Sequence, residues 1–197
     1  MLYDPSKHHR HTIRLEGYDY SQGGGYFITL DVENKACLFG QVVGGEMQLY
    51  EAGSIVREEW LRTPEVRPEI VLDEFIIMPN HLHGIVFISE PIIVGADGRP
   101  PPSASRQPVP GRVDSRRPLR HNLRRQPRSL GSFIAGVKSI TTKRINKLRS
   151  TAGVKIWQRK YYEHIIRGEK DLQKIRAYIF NNPSRGSSDE ANPDCRL

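Results

Sequence analysis

Residues 74 to 88 read "EFIIMPNHLHGIVFI", two apolar runs rich in β-branched and aromatic residues, interrupted only by Pro79-Asn80. Such runs read as strands of a sheet, and the Pro-Asn pair breaks or bulges the boundary between them. The chain must therefore fold around a sheet that carries His81 and His83 in its middle. In an extended strand, residues i and i+2 project from the same face. Both imidazoles then point one way, close enough to hold one metal ion or one phosphate. The alternative is a pair of half-buried strand residues with satisfied hydrogen bonds, the commoner fate of an isolated His-x-His.

The flanking sequence fills in the architecture. "GYFITLDV" (25–32) reads as a strand, and "CLFGQVVGGEMQLYE" (37–51) as a hairpin turning at Gly44-Gly45. "AGSIVREEWLRT" (52–63) sets Ile55, Trp60 and Leu61 at near-helical spacing, and strands follow at 69–79 and 81–89. Over 130–150, Ile134, Val137, Thr141, Ile145 and Leu148 trace one helix face, with Lys138, Lys143, Arg144, Lys147 and Arg149 away from it. A short extended segment at 155–167 precedes a second helix, 168–183, stopped by Pro183 and acidic in its first turn. The order is roughly β-β-α-β-β-α-β-α. That predicts an α+β domain, an antiparallel sheet with helices packed on one face.

Between residues 91 and 128 the composition changes, with eight prolines and nine arginines against only Asp97 and Asp114. Its net +7 is nearly all of the chain's +8. Proline at this density blocks helices and ladders, which predicts a disordered basic insertion within a domain spanning 10–183. The insertion is either a flexible arm on a nucleic-acid backbone or a tolerated surface loop. The tail, 184–197, is expected to be flexible. Lys+Arg outnumber Asp+Glu by 30 to 22 over 197 residues and the pI is near 9.7, which makes a polyanion the favoured partner class. Cys37 and Cys195 lie far apart without Cys-x-x-Cys spacing, so neither a zinc site nor a disulfide framework is expected and a reducing cytosol fits. No apolar run reaches the ~18 residues of a membrane span, and no leader is visible, which predicts a soluble, cytoplasmic chain.

The last helix ends in "AYIFNNP", where Tyr178 and Asn182 stand four residues apart on one face. A phenol and a carboxamide so placed suit a metal-assisted tyrosine nucleophile, although a tyrosine near a helix end is more often a core residue with a wet hydroxyl. Four segments in order, "MPNHLH", "IWQRKYYEHIIR", "YIFNNP" and the opening "RLEGYDYSQGGGYFITL" with its "LFGQVVGGEMQLYEAG" hairpin, resemble the single-tyrosine HUH transposases. The likeness is greater to the REP-associated tyrosine transposases than to the IS200/IS605 type. It covers residues 10 to 89 and 130 to 183.

The resemblance implies a ferredoxin-like α+β fold and cleavage and rejoining of single-stranded DNA beside a hairpin, through a 5′-phosphotyrosine. Tyr178 matches the nucleophile, and His81, His83 and Asn182 match the ligands of a divalent ion, Mg2+ or Mn2+. Imidazole ligands suit Mn2+ at least as well as Mg2+. Relatives act as monomers or homodimers. Lys138, Lys143, Arg144 and Lys147 make a candidate phosphate-contacting face, with His164 and Arg167 as further candidates; a solvated surface is the competing reading. Tyr161 and Tyr162 are rival nucleophiles by type that either pack or stack on bases, and Trp157 fits the core better than a base. His8, His9 and His11 read as a basic arm. Two other function classes compete. One is a hairpin-binding regulator that has lost turnover, and the other a hydrolase using the two histidines alone, indifferent to Tyr178→Phe.

Overall fold

The computed structural model describes residues 23–89 and 128–183. The histidines at 8, 9 and 11, the expected insertion other than Arg128, and the tail after Pro183 lie outside the described residues. Four antiparallel strands form the main sheet: β1 (Gly24–Asp31), β4 (Ile70–Met78), β5 (His81–Ile88) and β6 (Tyr162–Ile166), in the order β4-β5-β1-β6. A hairpin of β2 (Gly40–Val43) and β3 (Glu46–Leu49) stands apart as its own sheet. Its turn residues Gly44 and Gly45 have φ of +61° and +84°, the left-handed pair that a two-residue turn of matching twist demands. The helices are α1 (Glu51–Leu61), a single turn α2 (Thr63–Val66), α3 (Leu130–Leu148) and α4 (Glu169–Asn181).

The path from β1 to β4 passes through α1 and steps over β5; the path from β5 to β6 passes through α3 and steps over β1. Two interleaved crossovers of this kind make a ferredoxin-like α+β fold. A short 3-10 turn, Glu33–Lys35, and α2 are additions that no periodicity announces.

Alternation along the strands explains which helix covers which face. Tyr26, Ile28 and Leu30 of β1 and Leu82, Val86 and Ile88 of β5 are buried in one cluster with Trp60 of α1 and Phe133, Ile134, Val137 and Ile145 of α3. Gly84 lies on this face because an added Cβ would meet the Trp60 ring at 2.5 Å. Leu148, expected on the buried stripe, lies past its end and is 44 % exposed. Arg144 binds Glu58 and Glu59 at 2.7 Å each and so ties α3 to α1. The intervening strand residues point the other way, where Phe27, Ile85 and Phe87 meet Leu172, Ile175 and Ile179 of α4. The expectation that helices share one face therefore holds for α1 and α3, whereas α4 covers the opposite side. Its stripe is the only apolar surface among the described residues that seals the intervening strand residues.

Cys37 is exposed and disulfide-bonded. Among the described residues, no helix is long and apolar enough to cross a membrane.

Candidate active site

His81 and His83 sit on β5, an interior strand, at 0 % and 3 % exposure. Sheet register builds the rows around them. Ile76, His83, Thr29 and Tyr162 lie side by side across the four strands, and Met78, His81 and Asp31 form the next row. The two imidazole centroids are 4.5 Å apart, as same-face strand neighbours should be.

Each ring is held through Nδ1. His81 Nδ1 lies 2.7 Å from Asn80 Oδ1, and His83 Nδ1 lies 2.8 Å from Thr29 Oγ1. The ring nitrogen of each histidine on the far side of the ring is therefore Nε2, the usual arrangement of a metal-binding imidazole steadied from behind. Sequence reasoning missed both supports. Asn80 was visible as part of "MPN", but only as a strand breaker, and Thr29 becomes a neighbour of His83 only through strand pairing. Asp31 is beside His81 in register, yet its carboxylate takes the Lys35 ammonium at 2.6 Å.

Helix α4 brings in the phenol. Its Leu172, Ile175 and Ile179 stripe seats it on the sheet, and two polar latches fix its axis. Arg176 grips Asp73 of β4 with both arms of its guanidinium, 2.9 Å from Nε to Oδ1 and 2.5 Å from Nη2 to Oδ2. That hydrogen bonding holds the Asp73 carboxyl below its ordinary value despite partial burial. At the other end, His164 Nε2 donates to Asp171 Oδ2 at 2.9 Å and the Arg167 backbone N–H donates to the same oxygen. The His164 bond is the main reason the partly exposed Asp171 carboxyl is also held low.

So placed, the Tyr178 hydroxyl lies 3.2 Å from His83 Nε2, and its ring meets Phe27 edge-on. Tyr178 is 40 % exposed, open to an incoming substrate. Asn182 follows one turn later, 1 % exposed, where α4 ends.

The donor set fits a divalent first-row ion. Two neutral imidazoles and an amide oxygen are suitable ligands, and three protein ligands leave positions for substrate. No group of three or more His, Cys, Asp or Glu side chains gathers as a metal site among the described residues.

The remaining candidates are scattered. The basic residues of α3 are on the helix that covers the opposite face of the sheet. Lys143 and Lys147 are exposed there, and Arg144 is engaged by its glutamates. Lys138 is drawn inward, its ammonium donating to the carbonyls of Gln158 and Lys160 at 2.8 and 2.9 Å. Burial pulls its pKa down to about 8, against the opposing pull of Asp31. Tyr161 packs against the core beneath Lys138, whereas Tyr162 is exposed on the histidine face, edge-on to Phe27. Trp157 is buried and donates from Nε1 to Thr141.

No family model matches the sequence. It is 36 % identical over 192 residues, 98 % of each chain, to an uncharacterized protein of Haemophilus influenzae. The solved structure of a REP-associated tyrosine transposase bound to a REP hairpin superposes with a TM-score of 0.52. That match has 20 % identity and covers 87 % of this chain and 73 % of the other.

Proposed function

From the premise that this chain belongs to one family with the Haemophilus influenzae protein and shares the fold of a REP-associated tyrosine transposase, we propose that it cleaves and rejoins single-stranded DNA beside a hairpin. The observation that carries the reading is the Tyr178 hydroxyl at 3.2 Å from His83 Nε2, with the His81 ring alongside. A hydrolase that used the histidines alone would have no need of a phenol at that nitrogen. The hairpin bound by the solved neighbour supplies the class of substrate.

Tyr178 Oη attacks the phosphorus of the scissile phosphodiester. The Oη–P bond forms as the P–O3′ bond breaks, leaving a 5′-phosphotyrosine. The phenolic proton goes to solvent, and the departing 3′-oxygen takes one up as a free hydroxyl. Attack by the 3′-hydroxyl of another end reverses the step and rejoins the strand. A phenol with an ordinary pKa of about 10 is a weak nucleophile at neutral pH, so its target needs activation. Bound at His81, His83 and Asn182, Mg2+ or Mn2+ would draw charge from a non-bridging phosphate oxygen and fix the phosphate in line. Phe27 and the apolar stripe of α4 keep the phenol directed at that position. Exposed Lys143, Lys147 and Arg167 are proposed to hold DNA backbone, and Tyr162 offers a ring to a base next to the cleavage point. A DNA substrate supports a cytoplasmic location.

The test is covalent capture. Purified protein with Mn2+ is mixed with labelled single-stranded hairpins drawn from DNA flanking its own gene and run on a denaturing gel. A slowed protein–DNA band, absent in Tyr178→Phe and His81→Ala, is expected. Hairpin binding without any covalent band would instead identify a regulator that has lost turnover. A band that persists in Tyr178→Phe would move the nucleophile elsewhere, with Tyr162 next in line.

A further inference from the structure

We infer that Asn80 is a positioning residue that makes the two histidines unequal, locking His81 in one tautomer while Thr29 leaves His83 free to adopt either. Its significance for metal rests on the reading above, but the tautomer itself does not.

An imidazole is aimed by whatever its second nitrogen touches. His81 Nδ1 faces an amide oxygen, Asn80 Oδ1, at 2.7 Å. An amide oxygen only accepts, so Nδ1 must carry a proton, and in the neutral ring Nε2 keeps the lone pair. The orientation of the Asn80 amide is set in turn, because its Nδ2 donates to the Lys35 carbonyl at 3.4 Å. A flipped amide would set two oxygens against each other there. His83 differs. Its Nδ1 faces the Thr29 hydroxyl at 2.8 Å, which donates or accepts equally well.

Asn80 is itself held from several sides. It is fully buried, its carbonyl accepts the Val32 N–H at 2.8 Å, and the preceding Pro79 carbonyl accepts the Phe39 N–H at 2.9 Å. The Lys35 carbonyl that orients its amide belongs to a turn in which Asn34 and Lys35 both have φ of 55°. A left-handed lysine is costly for a residue with a Cβ, and such backbone is kept where the surroundings over-determine it. That turn is pinned to the segment before β6 by the Glu33 N–H on the Ile156 carbonyl.

The measurement is long-range 1H–15N spectroscopy of histidine-labelled, metal-free full-length protein, with His81 assigned by subtraction in His81→Gln. Wild type should show a single Nδ1–H form for His81. Asn80→Ala should lose that form, Asn80→Asp should keep it through its carboxylate, and Thr29→Val should alter His83 alone. Mn2+ binding followed by electron paramagnetic resonance should weaken about 10- to 100-fold in Asn80→Ala and recover in Asn80→Asp. An Nε2–H form of His81 in wild type overturns the inference, and this result does not depend on any variant folding. So does an Asn80→Ala protein of unchanged melting temperature that keeps the wild-type tautomer. If the tautomers behave as expected but no Mn2+ binds, the positioning role stands and the metal-dependent reading fails.

Discussion

One sheet presents two unlike faces. Under α1 and α3 the strands contribute Tyr26, Ile28, Leu30, Leu82 and Val86 to a continuous apolar cluster closed by Trp60 and Phe133. Under α4 the same strands turn over Thr29, His81 and His83, and the buried apolar patch is reduced to Ile85, Leu172 and Ile179 with a few half-buried partners. The first face can pack for stability because nothing on it needs to meet water. The second surrenders part of its core to polar groups, and α4 is held there as much by the Arg176–Asp73 and His164–Asp171 pairs as by its apolar stripe. Period-2 alternation is what lets adjacent residues of β5, Leu82 and His83, serve such different ends.

The division can be broken from either side. The largest effect is expected from Tyr178→Phe, which should abolish the covalent DNA band while barely moving the melting temperature, since the hydroxyl is at a surface that is already 40 % exposed. Trp60→Ala should do the reverse. It should cost about 3–5 kcal/mol in urea denaturation by opening a cavity in the apolar face, and any surviving folded fraction should retain chemistry. An intermediate effect should come from Asp73→Asn, which frees α4 at its midpoint. Because Arg176 depresses the folded-state pKa of Asp73, the pair stabilises the fold above the ordinary carboxylate value of 3.8 and loses that contribution as pH falls through the lower folded value. Denaturation midpoints of wild type and Asp73→Asn should thus differ at neutral pH and draw together in acid; parallel curves would show that the latch carries no stability. The smallest effect is expected from Lys147→Ala on α3. It should leave cleavage intact and lower the salt dependence of single-strand binding by about 0.7 in slope. An unchanged slope would confine DNA to the α4 face.

Much of this was legible in the residues themselves. The hairpin at Gly44-Gly45, the breaks between β4 and β5, the long α3 and the closing α4 all follow local rules, and they appear within a residue or two of where spacing puts them. The His-x-His pair and Tyr178 were also recognisable as one set, and the fold does bring His83 and Tyr178 together. What stayed hidden depends on who meets whom across the chain. Arg144 reads as a free cation in a basic helix until α1 supplies Glu58 and Glu59 from more than 80 positions away. Lys138 reads likewise, until the segment before β6 lays two carbonyls over it. Thr29 is an ordinary strand residue until register sets it against His83. Periodicity says which side of an element is apolar, but it does not say that α4 would be called to the face the other helices leave bare.

The polarity of β5 has a consequence for how such a protein can change over generations. The strand begins at His81, opposite Asp31, and ends at Ile88, opposite Gly24, roughly 23 Å away at a strand's usual rise. The proline- and arginine-rich stretch leaves the described chain just beyond that far end, after Ser89, and the chain returns at Arg128 to start α3. A substitution at that end, at Ile88 or Ser89, falls a strand's length from the imidazoles at the other.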